Sequence, residues 1–197
     1  MTLSAIVTVP ALLAPGDFTA PIAGEPALVR AVQAVRGVAS VWVVTGEGLA
    51  DAAAECLAAH GLSDVPVLAA PGLPAEGNAA LVHDVRYPLA PAALASRVAA
   101  GLADHDVVLP VLTMTDSVKS VAAHGIVLGN VDRAELVTAQ YPRGFSATAL
   151  AQLPQLDDLA AITSAGLRVG TVEGDANAFA VDLAHDRGLL DAIVAAG

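Results

Sequence analysis

Residues Leu81–Pro91 read LVHDVRYPLAP. An apolar run, Ala80–His83, ends at an acid, a base and a proline within five residues. A short apolar run bounded by turn formers reads as a buried strand. In open α/β sheets, ligands gather beyond the carboxyl ends of the strands, and Asp84 stands at such an end. Two readings follow. Asp84 holds a divalent metal through its carboxylate oxygens, or it caps a turn with His83 packed beneath it.

Working outward, the same alternation repeats. Upstream, Ser4–Val9, Val41–Thr45 and Val65–Ala69 read as strands. Pro26–Val35 and Leu49–His60 have helical spacing, the first with proline at its start and the second closed by Gly61. Pro71–Asn78 is a loop of turn formers. Downstream come a helix over Pro91–Ala103 and a strand over Val107–Val111. Strand alternating with helix predicts an α/β fold, a mostly parallel sheet with helices on both faces. The pattern then changes. Thr115–Val121, Ile126–Val127 and Leu136–Gln140 read as short strands around His124–Gly125, a hairpin-like excursion. Helices resume at Ser146–Leu153 and Asp157–Ala165, a strand follows at Val169–Val172, and Leu183–Ala195 is a last helix. The 197 residues are expected to form one domain.

Composition narrows the function classes. Hydrophobic residues are 55% and charged ones 15%, so the chain has the means to build a core. The net charge of −11 repels nucleic acid and anionic membranes. No run of 18 uninterrupted apolar residues occurs, so no membrane span is expected. MTLSAIVTVPALLAPG lacks a basic start and reads as a strand rather than a signal peptide. The single cysteine, Cys56, allows no internal disulfide, reads as a core thiol, and suits a reducing, cytoplasmic setting.

Further chemistry-bearing residues fall into three groups. PVLTMTDSVKSV (Pro110–Val121) carries Thr113, Thr115, Asp116 and Lys119, which also suit an exposed strand. VDRAELVTAQYPRGF (Val131–Phe145) carries Arg133 and Arg143, either able to bind phosphate in a bidentate manner or to sit in solvent. EGDANAFAVDLAHD (Glu173–Asp186) offers acids, Asp175 among them, that can join Asp84 at a metal or cap the last helix. The histidines show no zinc-binding spacing, and neither a phosphate-binding GxxxxGK loop nor a GxSxG elbow is present.

In order and spacing these segments resemble one family, the 2-C-methyl-D-erythritol 4-phosphate cytidylyltransferases of isoprenoid synthesis. VHDVRYPL resembles the family's VHDAARPL, and LPVLTMTDSVKSV its PVTDTIK strand. VDRAELVTAQYPRGF resembles VDRxxLxxxQTPQGF, and VEGDANAFAV the C-terminal GDxxxFK segment. PIAGEPALVRAVQAV (Pro21–Val35) resembles the segment after the nucleotide loop. The resemblance implies a Rossmann-like nucleotidyltransferase fold with a protruding β-arm, about Thr113–Gln140, that pairs two subunits into a homodimer. It implies CTP and a magnesium ion at the carboxyl edge of the sheet, where a sugar-phosphate oxygen attacks the α-phosphorus and pyrophosphate leaves. It carries nucleotide or substrate binding onto Asp84, Arg86, Asp116 and Lys119, a catalytic role onto Arg133, and the metal onto Asp84 and Asp175.

The departures matter as much. The family's loop after the first strand is long, rich in glycine and arginine, and ends in lysine. Here it is ALLAPGD, with Asp17 near the lysine position. The family's glycine-arginine-serine segment has no room within Pro71–Asn78. The arginine of HDAARP is replaced by Tyr87, with Arg86 one residue early; the threonine of QTPQ is Tyr141, and the lysine of the final pair is Ala180. Lys119 is the only lysine in the chain. Three roles are therefore expected to compete. One is a homologue with weak or no ancestral activity, another an active metal-dependent nucleotidyltransferase on a different substrate, working through Asp84, a metal and Arg133, and the third a non-catalytic dimeric binding or assembly subunit.

Overall fold

A computed structural model of the chain describes residues 3–69, 79–153 and 155–196. Its elements, in order, begin with β1 (Leu3–Val9), α1 (Pro15–Thr19), β2 (Pro21–Ile22), β3 (Glu25–Pro26), α2 (Ala27–Arg36), β4 (Ser40–Thr45) and α3 (Ala50–Ala59). There follow β5 (Val67–Ala69), β6 (Ala79–Asp84), α4 (Ala92–Gly101), β7 (Val107–Thr113), β8 (Val118–Val121), β9 (Val127–Val131), β10 (Val137–Ala139) and β11 (Arg143–Ser146). The chain closes with α5 (Ala147–Gln152), α6 (Leu159–Ser164), β12 (Val169–Glu173) and α7 (Arg187–Ala196).

The expected parallel sheet is present. β1 lies between β4 and β6, β5 follows β4, and β12 runs alongside β7, all parallel. β11 runs antiparallel between β6 and β7, and β10 pairs antiparallel with the far end of β7. The β7-to-β11 excursion therefore leaves the sheet and returns into its middle. β6 is buried along its whole length, as a strand covered on both faces must be. Adjacent residues point to opposite faces, so Leu81 and Val108 join a cluster with α2 and α4 residues such as Leu28 and Val98. Val82, Val107 and Leu109 face the other way, onto Phe145, Ala149 and Ile162 beside α5 and α6. Cys56 is a buried core thiol, and burial pushes its pKa up.

Sequence and structure differ in places with identifiable causes. β11 is not foreshadowed by residue type, because RGFS has a single apolar residue; what makes it a strand is pairing on both sides. The five-residue α1 and the small β2–β3 hairpin lie between the expected first strand and first helix, where no element was expected. The last helix begins at Arg187 rather than Leu183, because Asp182 and Asp186 build a turn first. Asp182 accepts the N–H groups of Ala184 and His185 and donates its own to Asp186. The expected loop Pro71–Asn78 lies outside the described residues.

The excursion is a separate two-stranded hairpin of β8 and β9. Its neck closes where the Met114 N–H donates to the Leu136 carbonyl, 3.1 Å away. Within the expected span of residues 113–140, Thr113 still belongs to β7, and β10 has already rejoined the main sheet. Val121, Ile126, Val127 and Leu128 are all more than half exposed on this arm.

Candidate functional site

The parallel strands deliver Val9, Thr45, Asp84 and Glu173 to one edge of the sheet. The loop after β1 covers part of it, and its backbone is turned inward. The Leu13 N–H donates to the Pro10 carbonyl, the Asp17 N–H to the Ala14 carbonyl, and the Ala14 N–H to the Asp17 carboxylate at 2.7 Å. Asp17 thus caps the start of α1. Three N–H groups that a phosphate loop would aim at an anion are satisfied within the loop. The loop also rests on the turn after β4, where the Gly46 N–H donates to the Val9 carbonyl. A Cβ on Gly46 would stand 2.4 Å from that of Ala11, so only glycine fits.

At the end of β6, Asp84 is buried and fully engaged. Its Oδ1 accepts the Arg86 N–H at 2.8 Å and Nε–H at 3.0 Å; its Oδ2 accepts Nη2–H at 2.6 Å. The turn-cap reading of Asp84 is therefore correct, and Arg86 adds a bidentate ion pair. The Asp84 side chain is 6% exposed and that of Arg86 42%, so the guanidinium lies between the carboxylate and solvent. The pair holds the Arg86 pKa above its ordinary value, chiefly through the hydrogen bond to Asp84. His83 packs beneath, wholly buried, and neither ring nitrogen finds a hydrogen-bond partner. Burial lowers its pKa to about 4, against the opposing pull of Asp84 and the Tyr87 backbone.

Two tyrosines adjoin this pair. The rings of Tyr87 and Tyr141 lie 5.0 Å apart at 54°, and the Arg143 guanidinium sits 4.2 Å from the centre of the Tyr141 ring. Buried Arg143 donates to the backbone carbonyls of Gln140 and Asp157. Burial pushes Tyr141 up to about 12 and raises Tyr87 as well, while the Arg143 charge pulls both down. Both hydroxyls are neutral donors at pH 7. These tyrosines were legible in the sequence only as departures from the resembled motifs; their stacking was not.

On the far side, Gln140 pins the turn after β12. Its Nε2 donates to the Asp175 carbonyl at 2.8 Å, and its Oε1 accepts the Asp175 N–H at 2.9 Å. The Asp175 carboxylate faces its own turn and accepts the Asn177 N–H at 2.9 Å. Arg97 holds the same turn through the carbonyls of Glu173 and Gly174.

The other expected residues lie on the arm. Lys119 donates to the Asn130 side chain across the hairpin, Arg133 donates to the Thr115 carbonyl, and Asp116 is exposed. No hydrogen bond or ion pair among the described residues joins these three to Asp84 or Arg86. The expected metal pair fares no better as a donor set. Divalent cations of this kind take several carboxylate or carbonyl oxygens, whereas both Asp84 oxygens face Arg86 and Asp175 caps a turn. Among the described residues, no three of His, Cys, Asp and Glu come together to hold an ion. The residues as arranged do not fit a divalent metal. No helix is long and apolar enough to cross a membrane among these residues.

Comparison with known proteins agrees with the resemblance. The sequence model of the 2-C-methyl-D-erythritol 4-phosphate cytidylyltransferase family matches residues 18–196. A curated protein of that name from Nocardia farcinica is 39% identical over 120 residues, which span 58% of this chain and 52% of the relative. One from Frankia casuarinae is 33% identical over 196 residues, spanning 88% of this chain and 72% of the relative. The chain thus spans about half the length of the first relative and nearly three quarters of the second. The crystal structure of such a cytidylyltransferase from Thermus thermophilus superposes with a TM-score of 0.77 at 23% identity, covering 99% of this chain and 100% of that one. A 4-diphosphocytidyl-2C-methyl-D-erythritol synthase from Anaerococcus prevotii gives 0.77 at 18%, covering 98% of both. At these identities the structures establish the fold alone.

Proposed function

The chain belongs to the 2-C-methyl-D-erythritol 4-phosphate cytidylyltransferase family, and from that premise we propose that it is a divergent member in which transfer of a cytidylyl group is weak or lost. One observation carries this reading. Three N–H groups of the loop after β1, those of Leu13, Ala14 and Asp17, are satisfied within it, and Asp17 stands near where the resemblance puts a lysine. A positive group aimed at developing phosphoryl charge contributes about 3–4 kcal/mol, or roughly 10²–10³ in rate. The one lysine of the chain is tied to Asn130 on the arm. Loss of two such groups lowers the rate by about 10⁴–10⁶ if their effects add, and less if they are coupled.

The test is pyrophosphate release from CTP and 2-C-methyl-D-erythritol 4-phosphate, with magnesium, by the pure protein. The expected result is turnover at or near background. Robust turnover would refute the reading and return the protein to its family's ancestral reaction. We propose a CTP-like or sugar-phosphate compound as the ligand of this edge on the family resemblance, and a thermal shift with each would test it. At about 100 times its dissociation constant a ligand adds roughly 2.7 kcal/mol of stability.

A second reading rests on the arm. The row Val121, Ile126, Val127 and Leu128 is exposed and apolar, and a second copy of the chain would cover it. In this reading the protein acts as a homodimeric binding or assembly subunit. A strictly monomeric mass by light scattering would remove it. The third reading, an active nucleotidyltransferase on another substrate, keeps Asp84 and Arg133 as its machinery. It fails if Asp84→Ala and Arg133→Ala leave every detected activity unchanged.

A further inference from the structure

We propose that the Arg86 guanidinium stands in for a divalent cation on Asp84, so that phosphate groups at this edge are met by arginine without metal. The inference rests on the reading above, that the edge takes phosphate-bearing ligands.

Three observations carry it. The first is the saturation of Asp84. Both carboxylate oxygens accept from Arg86, whose backbone N–H adds a further bond. A cation approaching Asp84 would have to displace a guanidinium held by the fold of a tight turn, in which the Tyr87 N–H donates to the Asp84 carbonyl at 3.0 Å. The second is the direction of exposure. Asp84 is shut in, while the Arg86 side chain is 42% exposed. Nε and Nη2 face the carboxylate, and no hydrogen bond of Nη1 is formed among the described residues. The free edge of a planar five-donor group is suited to bidentate contact with phosphate oxygens. The third is the local charge. The chain carries −11 overall, yet here one buried carboxylate is accompanied by two guanidinia, with the exposed Asp157 the further acid acting on Tyr141. Arg143 reaches only backbone carbonyls and an aromatic face. Asp84 and Arg86 cancel, and the Arg143 guanidinium lies behind them with no carboxylate hydrogen-bonded to it among the described residues, the exposed Asp157 meeting it only through its carbonyl. The neutral hydroxyls of Tyr87 and Tyr141 sit in the same field and can donate to an anion.

Inorganic pyrophosphate and CTP are the probes, titrated calorimetrically into the full chain in excess chelator and again with magnesium. Mn²⁺ binding is followed separately by paramagnetic resonance. Wild type is expected to bind pyrophosphate equally well in both conditions and to show no saturable Mn²⁺ site that Asp84→Asn removes. Charge-assisted hydrogen bonds set the expected loss in Arg86→Ala at about 10- to 100-fold in pyrophosphate affinity without metal. Freed of its partner, Asp84 in that variant should gain a Mn²⁺ site that the Arg86→Ala/Asp84→Asn double variant lacks. Arg86→Lys keeps the charge without the fork and should bind pyrophosphate more weakly than wild type. Metal-dependent pyrophosphate binding, no pyrophosphate binding at all, or a wild-type Mn²⁺ site that Asp84→Asn removes would each overturn the proposal, and the first two need no variant to fold. CTP binding seen only with magnesium would sink this proposal and leave the nucleotide-site reading intact. Pyrophosphate binding in chelator without CTP binding would do the reverse.

Discussion

Replacing Gln140 by alanine tests how the edge of the sheet is held together. The Gln140 side chain acts as a piece of backbone, donating to the Asp175 carbonyl at 2.8 Å and accepting the Asp175 N–H at 2.9 Å. It is 3% exposed, so water does not readily replace it. Each hydrogen bond contributes about 0.5–1.5 kcal/mol net, and a buried group left without a partner costs about 1–3 kcal/mol. The Gly174 N–H keeps its own bond to the Val111 carbonyl, so the turn should loosen rather than detach. The sum expected for Gln140→Ala is about 2–3 kcal/mol. For a domain of this length that corresponds to a Tm about 5–10 °C lower. The control is Gln152→Ala at the exposed end of α5, expected within about 0.5 kcal/mol of wild type. Thermal unfolding gives the magnitude, and hydrogen exchange gives the location: the Asp175 amide should lose protection while those in β6 keep theirs. If Gln140→Ala unfolds with Gln152→Ala, and the Asp175 amide exchanges as in wild type, the reasoning fails. A Cβ on Gly174 would stand 2.2 Å from the Gln140 Oε1, so Gly174→Ala should reproduce the loosening by a different route.

Other consequences follow from burial and charge. The folded-state pKa of His83 is about 4, against an ordinary 6.5. Between those values the unfolded chain binds the proton and the folded chain does not, so stability falls as pH drops from 6.5 towards 4. The loss is on the order of 3 kcal/mol, and urea unfolding of His83→Leu across the same range should show a flatter dependence; parallel curves would refute the assignment. Asp106 is the complementary case: hydrogen bonds from Arg168 hold its pKa below 3.8. Its contribution is present above that value and is lost as pH falls through the lower, folded-state one, so Asp106→Asn should remove part of the steepest acid loss. Phe145 is wholly buried between β6 and β7, and Phe145→Ala should cost about 3–5 kcal/mol by chemical denaturation. Ile126→Asp with Leu128→Asp alters two exposed side chains of the arm. On the homodimeric reading proposed above, it should leave Tm nearly unchanged while lowering the mass seen by light scattering from that of two chains to that of one.

Most of the sheet could be read from residue type alone. β1, β4 and β6 are short apolar runs that a parallel sheet buries on both faces, and α2 buries seven of its ten residues. β11 could not, because nothing in RGFS favours a strand until β6 and β7 flank it. The site divides along the same line. Asp84 was found because strand ends are predictable; Gln140 was not, because a glutamine that imitates backbone has no pattern. Of the two readings of Asp84, metal ligand and turn cap, the arrangement favours the cap, and it adds an ion pair that neither reading contained. The Arg86 N–H completes the cap and the Arg86 guanidinium meets the carboxylate, so one residue performs both tasks. In the resembled motif HDAARP that position is an alanine, which has the N–H for the cap but no guanidinium to meet the carboxylate. The difference between an open and a neutralised Asp84 therefore rests on a single side chain that secondary-structure patterning treats as a loop residue. Fold is set by burial summed over many positions and tolerates such a change. The chemistry at the edge of the sheet does not, which is why family membership and present activity are separable questions for this chain.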